Sequence, residues 1–118
     1  MNVIEEKSFN FAIKVIKIAK ELRSEHREYD LTSQFVRSGT SVGANVSEAQ
    51  QAQSKKDFIA KMSIAKKEAN EVRYWTRLLS ATEYLTEEKS KETLQEIEEI
   101  LKILTSIVKT SQENIHNS

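Results

Sequence analysis

The stretch from Phe35 to Ala49 constrains the fold more than any other part of the chain. Between Ser33 and Gln53 the only charged residues are Arg37 and Glu48, although 31% of the chain is charged. Its side chains are mostly small, and both glycines of the protein, Gly39 and Gly43, lie in it. A surface helix would carry charges on its outer face, and a loop would be richer in Pro and in Asn-Gly or Asp-Gly pairs. The stretch therefore reads as a helix that neighbours approach closely, with Phe35, Ser38, Gly39, Val42, Val46 and Ala49 on one face. Each glycine inside a helix costs about 1 kcal/mol relative to Ala. Close approach of another helix is the simplest compensation.

The remainder is organised to match. There is no proline, and sheet proteins need turn residues at every hairpin, so long helices joined by short polar links are expected. The first helix spans roughly Glu5 to Arg27. One apolar row on it is Phe9, Ala12, Ile13, Ile16 and Ala19, and a second is Phe11, Val15, Ile18 and Leu22. Together they cover an arc of about 220°, wider than the stripe of about 100° that faces a core. The second row is expected to be the excess, covered by another subunit. Thr32 is the expected N-cap of the second helix, with Leu31 and Val36 as a hydrophobic staple. Ser54 caps the third helix with Asp57 at the capping-box position, and Phe58, Met62, Ala65, Ala69, Val72 and Leu79 form its core row. Thr86 caps the fourth, whose Leu94, Ile97, Leu101, Leu104 and Val108 repeat at coiled-coil spacing, with frayed polar residues expected after Ser111. The predicted architecture is all-α: one domain, residues 1–118, folded as an antiparallel up-down-up-down four-helix bundle. In that topology Arg37 lies level with Glu68 and Glu71 and pairs with one of them.

Little in the sequence suggests catalysis. Two histidines without a partner ligand at helical spacing make no metal site. Ser41 has no histidine placed to activate it. Ser38, Ser41 and Asn45 are expected to hydrogen-bond from helix to helix. Neither an enzymatic activity nor a cofactor is predicted. The chain has no cysteine, no apolar run of about 18 residues, and acids Glu5 and Glu6 near its N-terminus in place of a leader pattern. The expectation is a cytoplasmic protein with no membrane contact.

Net charge is zero, yet unevenly placed. Residues 54–80 carry seven Lys/Arg and three acids, and residues 81–118 carry four Lys and eight Glu. Lys55, Lys56, Lys66, Lys67, Arg73 and Arg77 fall within about 120° of the third helix, with Tyr74 among them and no acid of that helix on the same face. Such a stripe is either a solvated outer face or a phosphate-binding surface on which Tyr74 stacks a base. The first prediction is a homo-oligomer that binds RNA or DNA through this stripe. The alternative is a protein-interaction scaffold in which Glu92, Glu96 and Glu99 from neighbouring subunits neutralise it.

Two segments also resemble a known bacterial family. Leu31 to Ser38, continuing from Ser41 to Ala49, is similar to its second helix, and Phe58 with Ser63 to Leu79 is similar to its third. The family is that of four-helix-bundle proteins encoded in the intervening sequences of bacterial 23S rRNA genes, and the likeness covers nearly the whole chain. One departure is Gly43, where many members have Pro. The resemblance implies a left-handed bundle that assembles as a homopentamer. A further likeness is to the accessory protein of diversity-generating retroelements, a basic pentameric bundle that binds nucleic acid with its reverse transcriptase.

Overall fold

In the computed structural model, which describes residues 1–116, four helices account for nearly every residue. Helix α1 spans Val3–His26, α2 Asp30–Ala49, α3 Lys55–Ala81 and α4 Glu87–His116. No strand occurs among the described residues, so the fold is all-α. The bundle measures 53 × 22 × 21 Å. Each helix packs on its sequence neighbours, and α1 also packs on α4. Residue pairs across three of the seams run in opposite order. Val15 faces Gly39 and Ser8 faces Gly43; Arg37 meets Glu71 and Glu48 meets Lys61; Lys7 meets Glu99 and Lys14 meets Glu92.

Local chemistry sets the helix ends. Ser54 Oγ accepts from the Asp57 N–H at 3.0 Å, and Thr86 Oγ1 accepts from the Lys89 N–H at 3.1 Å, as predicted. The Asp57 carboxylate reaches the Gln53 N–H, one residue before the cap, instead of completing the box on Ser54. Helix α1 begins earlier than expected, because Asn2 and Glu5 form a reciprocal capping box. Helix α2 also begins earlier. Glu28 bends back so that its carboxylate accepts from the N–H groups of Leu31 and Thr32. Thr32 is therefore inside the helix and buried, and Leu31 is not a staple residue before a cap. Helix α4 runs through His116, with Ile107 and Val108 packed against the core, and the last two residues of the stretch expected to fray lie outside the described residues.

The core settles which face of α1 points inward. Phe11, Val15, Ile18 and Leu22, the row expected at an oligomer interface, are at most 4% exposed and belong to the chain's own core. The row left outside is the other one: Phe9 is 55% exposed, Ile13 39% and Ile16 40%. The physical reason lies on α2. A Cβ added at Gly39 would sit 2.8 Å from both methyl carbons of Val15, closer than carbon atoms can stand. The missing side chain is the space that Val15 occupies. At Gly43 a Cβ would lie 3.2 Å from the Ser8 carbonyl oxygen, so α1 approaches through its backbone there. Both glycines have ordinary helical φ, so they serve close approach rather than a turn.

Gly39→Leu should lower stability by about 1–3 kcal/mol or more through overpacking, read as a lower melting temperature. Had this face been open, the change would raise the melting temperature through helix propensity.

Candidate nucleic-acid interface

The outward surface of α3 presents two different charge arrangements. Toward α2, Arg37 donates to Glu68 Oε2 at 3.2 Å and to Glu71 Oε1, and Trp75 Nε1 donates to the same Glu71 oxygen at 3.3 Å. Arg37, expected to pair with one of these carboxylates, thus forks to both. Arg37 is half exposed, whereas only 13% of the Glu68 side chain is exposed. The hydrogen bond to Glu71 pushes the Arg37 guanidinium up from its usual value, against a smaller effect of burial. Burial acts to raise the Glu71 carboxyl, but the hydrogen bonds from Arg37 and Trp75 outweigh it and hold the group below its usual range. This cluster ties α2 to α3 and is self-neutralising.

Ser38, Ser41 and Asn45 do not bridge helices. Ser38 Oγ donates to the Gln34 carbonyl at 2.9 Å, Ser41 Oγ to that of Arg37 at 2.6 Å, and Asn45 Nδ2 to that of Ser41 at 2.8 Å. Each returns to a carbonyl four residues earlier in α2, a bond any helical Ser can make without a neighbour. Among the described residues, no group of three or more His, Cys, Asp or Glu could hold a metal ion.

Toward α4 and solvent, the arrangement is cationic. Lys55, Lys56, Lys67 and Arg77 are exposed and Lys66 is half exposed, and none makes a salt bridge among the described residues. Tyr74 is 58% exposed and packs edge-on against Trp75, with ring centroids 5.0 Å apart. Arg73 is the exception. It donates to Glu98 of α4 at 2.9 Å and to Asn70 at 2.9 Å, so one acid does meet the stripe. That acid comes from α4, which the periodicity of α3 alone could not reveal.

The other α4 acids lie elsewhere. Glu92 and Glu96 both accept from Lys14 of α1, the first at 2.7 Å, and Glu99 accepts from Lys7 at 2.5 Å. Burial acts to lower the Lys14 ammonium, and the bonds to Glu92 and Glu96 overcome it and raise it. Lys14 in turn holds the Glu92 carboxyl below its usual value. Glu92, Glu96 and Glu99 are thus engaged on the α1 flank and do not reach α3 within the chain. The α3 flank of α4 carries cations that the sequence reading passed over. At 100° per residue, Lys102 and Lys109 lie within about 40° of Glu98, the residue that marks this flank. Both are exposed. Their seven-residue spacing was the available signal, masked by the acidic balance of the segment as a whole.

A family model described as 23S rRNA-intervening sequence protein matches residues 2–106. The chain belongs to that family. A crystal structure from Bacteroides thetaiotaomicron VPI-5482, of a protein of unknown function from the S23 ribosomal protein family, is 48% identical to it. The match covers 91% of this chain and 99% of that one, with a TM-score of 0.89. Comparison with curated proteins finds no match. Membership of the 23S rRNA-intervening sequence family is thus carried by almost the whole bundle, from the α1 cap through the core rows of α4.

The Arg37 fork should contribute modestly and in a pH-dependent way. Because Glu71 titrates below its usual range when folded, the contribution is fully present above that range and is lost as the pH falls through the folded value. Arg37→Ala should lower stability by about 0.5–1 kcal/mol at neutral pH. In thermal melts the difference from the parent should close as the pH drops below about 4. A gap of constant size down to strongly acid pH would show that Arg37 acts by packing instead.

Proposed function

We propose that this member of the family is a cytoplasmic, non-enzymatic, homo-oligomeric bundle that binds RNA or DNA through the basic face of α3. The observation that carries the reading is the segregation of charge. Lys55, Lys56, Lys66, Lys67 and Arg77 make no salt bridge among the described residues, and Tyr74 stands exposed beside them. The acids that would neutralise the stripe, Glu92, Glu96 and Glu99, are held by α1. Their engagement also weighs against a scaffold with no nucleic-acid role. The family's association with rRNA genes supports the same direction. A non-enzymatic role is supported by the α2 hydroxyls, which are turned back onto their own helix.

Self-association is supported by the exposed row on α1. Phe9 lines a groove of about 310 Å³ with Met1, Ala12, Gly43 and Ala44, and Ile13 and Ile16 are exposed further along the same row of α1. Contiguous apolar surface of this kind marks interaction sites on soluble proteins. A ring built from one repeated contact would cover it in every subunit. The number five and the left-handed up-down-up-down winding are implied by the family resemblance, and the opposed order of residue pairs across three of the seams supports the winding's antiparallel part.

Two measurements test the reading. Affinity for structured RNA should fall steeply as salt rises, and should be lost when Lys66, Lys67, Arg73 and Arg77 are all replaced by Glu. Binding unchanged by either would refute it and favour the scaffold. By light scattering the parent should be an oligomer, and Ile13→Glu with Ile16→Glu should yield a folded monomer. Val15→Glu with Ile18→Glu should instead unfold the chain, because those positions are core. A parent with the mass of a single chain would refute self-association.

A further inference from the structure

We infer that the nucleic-acid surface is a track shared by α3 and α4 along their common seam, and that its ligand is a single strand rather than a duplex. The inference rests on the α3 reading above and extends it to residues outside α3. Along α3, the cations nearest α4 are Lys55, Lys66, Arg73 and Arg77, which span about 33 Å at 1.5 Å per residue. Taken alone they leave a gap of about 16 Å between Lys55 and Lys66. The bond between Arg73 and Glu98 fixes the register of the two antiparallel helices. In that register Lys102 comes level with Ala69 and Lys109 with Met62. The two α4 lysines therefore fall into the gaps of the α3 file. From Lys109 to Arg77 the seam carries a cation about every 4.5–6 Å, drawn alternately from the two helices up to Arg73.

The spacing lets successive cations meet phosphates of one strand, and the shape of the seam decides between a free strand and a duplex. A duplex backbone winds through nearly a full turn over about 34 Å, so it would leave a straight seam of this length after a few phosphates. A single strand is flexible enough to follow it from end to end. Tyr74 lies on the outer side of the track, one turn before Arg77 and two turns after Lys67. Its exposed ring, braced by Trp75, offers a face on which a base can stack. Among the described residues, Glu98 is the one acid seen to bond across the seam, and it is bonded to Arg73.

The test is fluorescence anisotropy on the full-length protein with three labelled probes: a uridine-tract RNA, the matching thymidine-tract DNA and an RNA duplex of equal length. Two exposed double variants are compared with the parent, Lys102→Gln with Lys109→Gln on α4 and Lys66→Gln with Arg77→Gln on α3. Circular dichroism should confirm that each folds. The expected result is tighter binding of a single strand than of the duplex, on RNA alone or on both tracts. Each double variant should make the log–log salt dependence shallower by about 1.4, the value for two lost phosphate contacts on a single strand. If the α4 variant matches the parent while the α3 variant is weakened, the shared track is overturned and the α3 reading stands. If neither variant is weakened, both fail. Duplex binding as tight as single-strand binding overturns the assignment of the ligand.

Discussion

The contact between Val15 and the bare backbone at Gly39 is the constraint on which the rest of the structure depends. Without a Cβ at that position, both Val15 methyls settle against α2, and Ser8 meets α2 through its carbonyl a turn further along. This turns the Val15 row of α1 inward, with Phe11, Ile18 and Leu22. The Phe9, Ile13 and Ile16 row is then left facing outward by the geometry of the helix, since the rows lie more than a quarter-turn apart. One missing side chain on α2 thus determines which apolar surface the protein offers to others. The polar groups of α2 cost nothing at this contact, because Ser38, Ser41 and Asn45 bond within their own helix.

The second organising effect is electrostatic, and acts through α4. That helix has acids on its α1 flank, where Lys14 and Lys7 take up Glu92, Glu96 and Glu99. On its α3 flank it has Lys102 and Lys109 beside Glu98, which is already bonded to Arg73. A net charge of zero is therefore compatible with one strongly cationic surface. Surface pairs contribute little to stability individually. Their importance here is to decide where charge of each sign is left over. The Arg37 fork works in the same way on the α2 side of α3, where it takes up Glu68 and Glu71, although Glu71 also feels the charge of Lys67.

What the sequence made legible follows from the range over which each signal acts. The caps at Ser54 and Thr86 depend on an N–H three residues away, and both were readable. The α2 start was misplaced because Thr32 has the composition of a cap, while Glu28, outside the helix, supplies the bond. The small face of α2 was recognisable because two glycines in a helix need a close neighbour. The orientation of α1 was not, because both of its rows are apolar and periodicity cannot rank them; only the position of α2 does so. For the candidate site, the α3 cations were readable from one helix. Glu98, Lys102 and Lys109 required the register between two helices, which no single-helix pattern contains. The spacing of Lys102 and Lys109 was visible, but the eight acids of residues 81–118 concealed its meaning until their direction was known.

The central claim is a division of surfaces, with apolar α1 turned toward other copies of the chain and the cationic side of α3 toward nucleic acid. Ultraviolet crosslinking of the assembled protein to labelled RNA, followed by mass-spectrometric mapping of the adducts, tests it most directly. The account predicts adducts on peptides containing Tyr74 and its neighbours on α3, with the segment around Phe9 to Ile16 free of them. Adducts concentrated on α1, or none under conditions where the RNA comigrates with the protein, would contradict it.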